Sequence, residues 1–196
     1  MKSSLFIACS ATGFGGAVYA ELNCQSCVVS LCSFIFSKAN HGGGLMALYG
    51  PTSSTSSSCF ISCYAEFAGG GMYHEGYDSD NIHLTNSLFT NNRADSTDQR
   101  GGGGFEDFKY YTYLSHYSFC FFSGNIAQTG VGYDISVYRD ALNENDIFHC
   151  FTTAKDNSFW NAYQYQNEWL HLTCINEKLS PVKNENRHHA ISAFQA

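Results

Sequence analysis

One pattern recurs five times between residues 4 and 135, and it constrains the fold more than any other feature. A phenylalanine is followed three residues later by a small or polar residue, five residues later by an alanine, and then by a cluster of glycines. The five phenylalanines are 28, 26, 29 and 33 residues apart, and they are Phe6, Phe34, Phe60, Phe89 and Phe122. Repeats of this length indicate a solenoid, in which each repeat packs only against its neighbours.

The segments between the glycine clusters have the composition of strands. They are four to seven residues long, rich in Phe, Tyr, Ser, Thr and Val, and they lack the long 3.6-residue periodicity of helical repeats. Only 2 prolines occur, while 18 glycines are concentrated in clusters. We therefore expect an all-β chain that folds as a right-handed, single-stranded parallel β-helix of about five to six coils.

The repeat also assigns a place to its most regular residues. Successive coils of a parallel β-helix lie about 4.8 Å apart, so equivalent residues stack on one another. The phenylalanines should form one inward column, and Asn92 should share side-chain hydrogen bonds with Asn125. Glycines should occupy a corner where the backbone turns sharply, and the structural positions we name are Gly15, Gly16, Gly43, Gly70 and Gly103.

The repeats divide the chain into two parts. Residues 1–155 should form the β-helix, including a degenerate sixth coil that begins near Phe148, Cys150 and Phe151. Residues 156–196 differ in composition and should form a divergent cap followed by a polar tail. Two polar stretches, residues 51–58 and 96–100, are expected to bulge from the corners. The first coil carries no obvious cap, so we expect its strand edges to be open to pairing.

Composition excludes some functions. The formal net charge is −7, and no cluster of Lys and Arg is present, so we expect no nucleic-acid partner. The apolar runs are too short for a transmembrane helix. Residues 1–16 resemble part of the fold rather than a signal peptide.

The nine cysteines do not form a small disulfide scaffold, because their number is odd and the chain is long. Cys24 and Cys27 form a C-x-x-C pair, but zinc would need a second pair and a redox motif would need a helix. We expect the cysteines to be mainly reduced and buried as small core residues. Cys32 and Cys59, one position out of register in adjacent coils, are the pair that we single out for a disulfide.

Two other sets of residues could carry chemistry. His83 and His116 each lie six residues before a repeat phenylalanine and should be stacked neighbours, but a third metal ligand is not evident. Acidic residues gather around the fourth coil, as paired carboxylates do in β-helix enzymes that act on polysaccharides. These residues are Asp78, Asp80, Asp95, Asp98, Glu106 and Asp107. We expect them in corners and insertions, where an Asp commonly caps its own backbone, and we name no catalytic residue, metal ligand or cofactor.

Two short motifs connect the repeat with a known family. Phe89-Thr90-Asn91-Asn92 and Phe122-Ser123-Gly124-Asn125 fit F-x-x-N, and Gly15-Gly16-Ala17-Val18 fits G-G-A-[I/L/V]. Over residues 4–135 the chain resembles the polymorphic outer-membrane protein repeat of bacterial autotransporter adhesins and similar protist surface proteins. The first three coils depart from it by replacing Asn with Cys or Ser. The resemblance implies a pectin lyase-like β-helix, an adhesive role and a cell-surface or extracellular location.

Two functional hypotheses follow. The first is a non-catalytic surface or structural module, a piece of a longer chain, that recognises a protein or glycan ligand through an extended face. The second is a polysaccharide-active lyase or glycoside hydrolase with a groove near Asp78 to Asp107. Two or three carboxylates converging in a cleft would favour the enzyme, and a face without them would favour recognition.

Overall fold

The computed structural model describes residues 1–21, 27–48, 52–76, 81–95, 101–109, 115–128, 133–139, 147–152, 157–161 and 167–170. These residues form strands and turns, and no helix occurs among them. In chain order the strands are β1 (Leu5–Ile7), β2 (Val18–Glu21), β3 (Cys27–Ser30), β4 (Ser33–Ile35), β5 (Lys38–His41), β6 (Leu45–Leu48), β7 (Thr52–Ser56), β8 (Cys59–Ile61), β9 (Tyr64–Ala68), β10 (Met72–Gly76), β11 (Asn81–Thr85), β12 (Leu88–Thr90), β13 (Arg93–Ala94), β14 (Phe105–Lys109), β15 (Ser115–Ser123), β16 (Ile126–Ala127), β17 (Ile135–Arg139), β18 (Ile147–Thr152), β19 (Asn157–Asn161) and β20 (Asn167–Leu170).

The strands stack in parallel as a β-solenoid of about four turns, slightly fewer than the expected five to six coils. One complete coil consists of β3, β4, β5 and β6, and its strands pair with the equivalent strands of the next coil. Three sheets result. The first contains β1, β4, β8, β12, β15, β11, β7 and β3, with β18 on β15; the second contains β2, β6, β10, β14, β17, β19 and β20; and the third contains β5, β9, β13 and β16.

The five repeat phenylalanines form one inward column. Phe6, Phe34, Phe60, Phe89 and Phe122 are register partners from strand to strand. Their ring centroids are 5.1, 4.7, 4.5 and 4.7 Å apart along the column, and successive ring planes differ by no more than 10°. All except Phe6 are fully buried. The alanine of each repeat stacks likewise, from Ala39 through Ala65 and Ala94 to Ala127.

Each coil turns at three left-handed backbone positions. The first corner uses Ser3, Leu31, Ser57, Asn86 and Phe119, and the second uses Ala8, Phe36, Ser62, Asn91 and Gly124. The third corner uses Gly15, Gly42, Gly69 and Gly102. Nine of these fourteen residues have side chains despite φ values of 48° to 56°, a conformation that costs about 1 kcal/mol or more per residue. The sequence pattern identified only the glycine corner.

The glycines predicted as structural positions serve two different purposes. Gly15 lies at the third corner itself, with a φ of 56°. Gly16, Gly43, Gly70 and Gly103 instead form the adjacent column, where a Cβ atom on one glycine would lie only 2.1 to 2.4 Å from the carbonyl oxygen of the next coil. Close backbone approach, rather than a left-handed angle, therefore requires glycine in this second column.

The residue after each of the first two corners points inward and supports the turn. After the first corner, Ser58 Oγ donates to the carbonyl of Ser56 and accepts a hydrogen bond from the backbone N–H of Cys32. After the second corner, Asn92 Nδ2 donates to Asn125 Oδ1 and to the carbonyl of Phe60. We call these columns the first-corner ladder (Ser4, Cys32, Ser58, Ser87 and Cys120) and the second-corner ladder (Cys9, Ser37, Cys63, Asn92 and Asn125). The predicted asparagine contact is thus part of a longer ladder.

One of the two predicted insertions is wrong, and the other lies outside the described residues. The described part of the first stretch, residues 52–58, does not bulge, because Thr52–Ser56 is strand β7, which pairs with β3 and β11 and buries Ser53 and Thr55. Residues 96–100 lie outside the described residues. At the other end, β18 continues onto β15, and Thr152 takes the register position of Phe122. β19 adds to β17 in parallel, and β20 closes this sheet antiparallel; the assignment of residues 156–196 as a cap and tail stays a prediction.

Candidate recognition surface

A group of aromatic rings lies on the outside of the solenoid beside the third corner. In the second sheet, side chains alternate between the interior and the outer face, so Tyr19, Met46 and Tyr73 form one outward column. Phe14 and His41 are bridge partners at the approach to the corner, and Phe67 precedes it in the next coil. We call Phe14, Tyr19, His41, Phe67 and Tyr73 the aromatic corner.

The rings of the aromatic corner contact one another across three coils. Phe14 lies 5.6 Å from Tyr19 and 5.6 Å from His41, measured between ring centroids. His41 lies 5.2 Å from Phe67 and 5.1 Å from Tyr73. These spacings are those of stacked and tilted aromatic pairs, which restrain one another's orientation. The rings therefore form one connected surface rather than isolated side chains.

The aromatic corner has an exposed rim and a buried floor. Phe14, Tyr19 and Phe67 are 46%, 41% and 45% exposed, whereas Met46 and Tyr73 are 1% and 2% exposed. Solvated aromatic rings that continue into a buried apolar base mark an interaction surface more often than scattered apolar residues do. The exposed rings thus lie next to buried members of the same outward face.

Two tyrosine–glutamate pairs border the rings. Tyr19 donates its hydroxyl hydrogen to Glu21 Oε2 at 3.2 Å, and Tyr73 donates to Glu75 Oε2 at 3.4 Å. Partial burial, the hydrogen bond to Glu21 and the charges of Glu21 and Glu75 raise the pKa of Tyr19. Tyr19 and Tyr73 lie in the same outward column, so the two pairs share one surface. The carboxylates supply hydrogen-bond acceptors beside the rings.

The acidic residues singled out from the sequence do not form one cluster. Asp78, Asp80 and Asp98 lie outside the described residues. Asp95 directly follows β13 of the third sheet, where it accepts a hydrogen bond from the Tyr64 hydroxyl at 3.1 Å and forms an ion pair with Arg93.

The expected placement of Glu106 and Asp107 in a corner or insertion is wrong. Both lie within strand β14 and are fully buried. Adjacent residues of a strand point to opposite faces, because the pleat alternates. Glu106 continues the outward column of Tyr73, and Asp107 points into the solenoid beside His74. These two carboxylates therefore cannot face each other across one substrate cleft, as a glycosidase pair must.

Asp107 belongs to a buried polar group that the sequence analysis missed. His74 Nδ1 lies 2.9 Å from Asp107 Oδ1, and the Tyr117 hydroxyl donates to Asp107 Oδ2. All three side chains have no exposed surface. We call them the buried triad. No sequence signal predicts it, since the three residues occupy unrelated positions of the repeat.

His83 and His116 are register partners on neighbouring strands, as predicted, with ring centroids 5.6 Å apart. Within the described ranges, no three or more His, Cys, Asp or Glu side chains gather in a way that could hold a metal ion. His116 Nε2 lies 3.2 Å from the hydroxyl of Ser118.

The seven described cysteines are free thiols, and four of them are buried. Cys24, the partner of Cys27 in the C-x-x-C motif, and Cys174 lie outside the description. Cys32 and Cys59 are offset by one position in adjacent coils, as expected, and the backbone N–H of Cys59 donates to the carbonyl oxygen of Cys32 at 2.9 Å. The backbone N–H of Cys32 donates to Ser58 Oγ, whereas Cys59 pairs with Ser33 and donates its thiol hydrogen to Ser33 Oγ.

The aromatic corner was also missed at the sequence level, although one signal was available. Tyr-x-Glu occurs at residues 19–21 and again at 73–75, at the same place in the repeat and two coils apart. Comparison of the chain with protein-family models, with curated proteins and with solved structures finds no match. Among the described residues, no helix has the length and hydropathy required to cross a membrane.

Proposed function

We propose that this β-solenoid is a non-catalytic recognition module that binds a neutral glycan at the aromatic corner. The observation that carries the proposal is the set of three half-exposed rings, Phe14, Tyr19 and Phe67, held over coils one to three beside two carboxylates. The β-solenoid fold supports recognition over an extended face, because it presents equivalent positions at regular intervals along one axis.

The chemistry of the surface fits a sugar better than another ligand class. The C–H face of a pyranose packs on an aromatic ring, and the ring loses little conformational entropy because it has only two rotatable bonds. Sugar hydroxyls can donate hydrogen bonds to the carboxylates of Glu21 and Glu75. Successive monosaccharides of an extended chain could lie against rings of successive coils.

The negative charge of the protein further restricts the class of glycan that we expect to bind. The chain carries a formal net charge of −7, and the carboxylates of Glu21 and Glu75 border the aromatic corner. An anionic polysaccharide would be repelled at long range and would meet no Lys or Arg among the rings. We therefore expect neutral glycans to bind more tightly than acidic ones. A role in adhesion, as the repeat motifs imply, would agree with such binding.

The polysaccharide-active enzyme is the alternative, and the described carboxylates do not favour it. Glycosidic hydrolysis requires an acid and a base at a fixed separation on either side of the scissile bond. Glu106 and Asp107 are buried and point to opposite sides of β14. Asp95 is engaged by Arg93 and Tyr64.

Binding is tested with immobilised neutral and acidic polysaccharides, using the purified chain and three variants. Tyr19→Ala and Phe67→Ala should each weaken retention on a neutral polysaccharide by roughly 3- to 10-fold, the value of one aromatic contact. Phe36→Ala is the matched control, since Phe36 is 62% exposed but lies at the second corner. Equal effects of all three variants, or retention only on acidic polymers, would refute the proposed site.

Catalysis is tested separately with the same polysaccharides in solution. Release of reducing ends or unsaturated products, abolished by Asp78→Ala or Asp80→Ala, would establish the enzyme. The proposal expects no such release.

A further inference from the structure

Two buried cysteines face each other across the last pair of strands in the first sheet. Cys120 of β15 and Cys150 of β18 are register partners, and both are buried. Paired parallel strands lie about 4.8 Å apart, which is within the Cα–Cα range of disulfides, about 4.4–6.8 Å. No side chain of another coil separates them, because β18 lies directly on β15.

This arrangement is unlike that of the other described cysteines. Cys27 pairs with Ser53, Cys59 pairs with Ser33, and the backbone N–H of Cys63 donates to Asn92 Oδ1. Cys32 lies between serines of the first-corner ladder, and its backbone N–H donates to Ser58 Oγ. Among the described strands, only Cys120 and Cys150 are cysteines in register with each other.

The Cys120 thiol donates towards the carbonyl oxygens of Leu84 and Ser118. Burial, followed by the hydrogen bond and the charge of Cys120, raises the pKa of Cys150. Since the thiolate is the nucleophile in disulfide exchange, the folded pair should react slowly.

We propose that Cys120 and Cys150 form a disulfide that fastens β18, the last described strand of the first sheet, to the body of the solenoid. The oxidant is a small disulfide of the glutathione class. One cysteine thiolate attacks the oxidant's sulfur and releases one thiolate from it. The second cysteine thiolate then attacks the protein sulfur of this mixed disulfide and releases the second thiolate. The protein loses two protons and two electrons, and one oxidant molecule becomes two thiols.

The position of the pair explains what the bond achieves. The terminal rung of a solenoid contacts only one neighbouring coil, so it opens more readily than the interior coils. Opening exposes both thiols to the oxidant, and reclosing seals the product in the core. The disulfide should therefore form during folding or terminal opening, and should afterwards resist reductants that do not unfold the protein.

The experiment uses the full chain, refolded in a buffer of reduced and oxidised glutathione and then blocked with an alkylating reagent. Trypsin cleaves after Lys109, Arg139 and Lys155, so the disulfide would join peptide 110–139 to peptide 140–155. Each of these peptides contains one cysteine. We expect this linked pair in most molecules, with hydrogen exchange of the β18 amides slowed by about tenfold or more relative to the reduced protein.

Cys120→Ser tests the assignment without disturbing the corner, because the first-corner ladder already uses serine at Ser4, Ser58 and Ser87. This variant should lose the linked peptides and the slowed exchange while retaining the reduced protein's stability. Cys63→Ser, which removes another buried thiol, should leave the linked peptides and the slowed exchange of the β18 amides unchanged. Free thiols at residues 120 and 150 after refolding, or slowed exchange of the β18 amides that persists in Cys120→Ser, would overturn the proposal.

Discussion

Two columns of side chains fill the solenoid interior in different ways. The phenylalanine column repeats one residue type from Phe6 to Phe122 in five successive coils. A column on the second sheet instead changes at each rung, from Ala47 to His74, Asp107 and Val137. Both columns are fully enclosed where they cross the central coils.

The uniform column is stabilised by burial alone. Each inner phenylalanine ring stacks on the ring below and the ring above, so no polar group has to be satisfied. The mixed column encloses a carboxylate, which requires hydrogen-bond donors because an unpaired buried charge costs several kcal/mol. His74 and Tyr117 supply those donors from a neighbouring rung and a facing strand.

The contrast shows that a residue can occupy an interior position of the solenoid without repeating the residue type of the neighbouring coils. Residues that match from coil to coil create the column, but a coil can replace a member if the replacement brings its own partners. The uniform column should therefore respond to loss of volume, and the mixed column to loss of one partner.

The largest effect is expected at the centre of the uniform column. Phe60→Ala should lower the free energy of unfolding by about 3–5 kcal/mol, because it leaves a cavity between two stacked rings. Phe6→Ala should lower it by less than half as much, since Phe6 is half-buried and stacks on one ring only. Urea unfolding of both variants checks this. Equal losses would show that the column does not depend on enclosure from both sides.

The second prediction concerns the buried triad. Asp107→Ala should lower the free energy of unfolding by about 3 kcal/mol, because the polar groups of His74 and Tyr117 lose their partner inside the core. A triple variant, His74→Val with Asp107→Val and Tyr117→Phe, should return to within about 1 kcal/mol of the native chain. Valine already occupies this column at Val137. A triple variant as unstable as Asp107→Ala would mean that the hydrogen bonds themselves stabilise the fold.

The smallest effect is a pH dependence beside the uniform column. Burial raises the pKa of Cys63 to about 11 from 9.0, against lowering by backbone hydrogen bonds. The folded state thus favours the neutral thiol. The contribution of the Cys63 thiol to the free energy of unfolding is therefore complete below pH 9 and is lost between pH 9 and 11. At pH 10 the native chain should lose about 1 kcal/mol more than Cys63→Ser does.

This comparison requires the free energy of unfolding of both proteins at pH 8 and pH 10, with the difference between the two proteins taken at each pH. That procedure removes the contribution of other groups that titrate in the same range. Parallel pH dependences in the two proteins would contradict the burial of this thiol in the native state.

The sequence by itself determined the features that repeat. The spacing of phenylalanine, alanine and glycine was sufficient for the parallel β-solenoid, the phenylalanine column and the contact between Asn92 and Asn125, because stacked coils place equivalent residues together. His83 beside His116 followed from the same counting. Because equivalent residues recur in each coil, the register between neighbouring strands could be derived without coordinates.

The tertiary structure alone decided the features that do not repeat. Two of the three corners use non-glycine residues with positive φ, which a search for glycine cannot find. The buried triad and the aromatic corner combine positions that are not equivalent in the repeat, such as His74 with Tyr117 and Phe14 with Tyr19. Their contacts depend on how the faces of a coil fold towards each other, and that geometry arises only when the whole coil has closed.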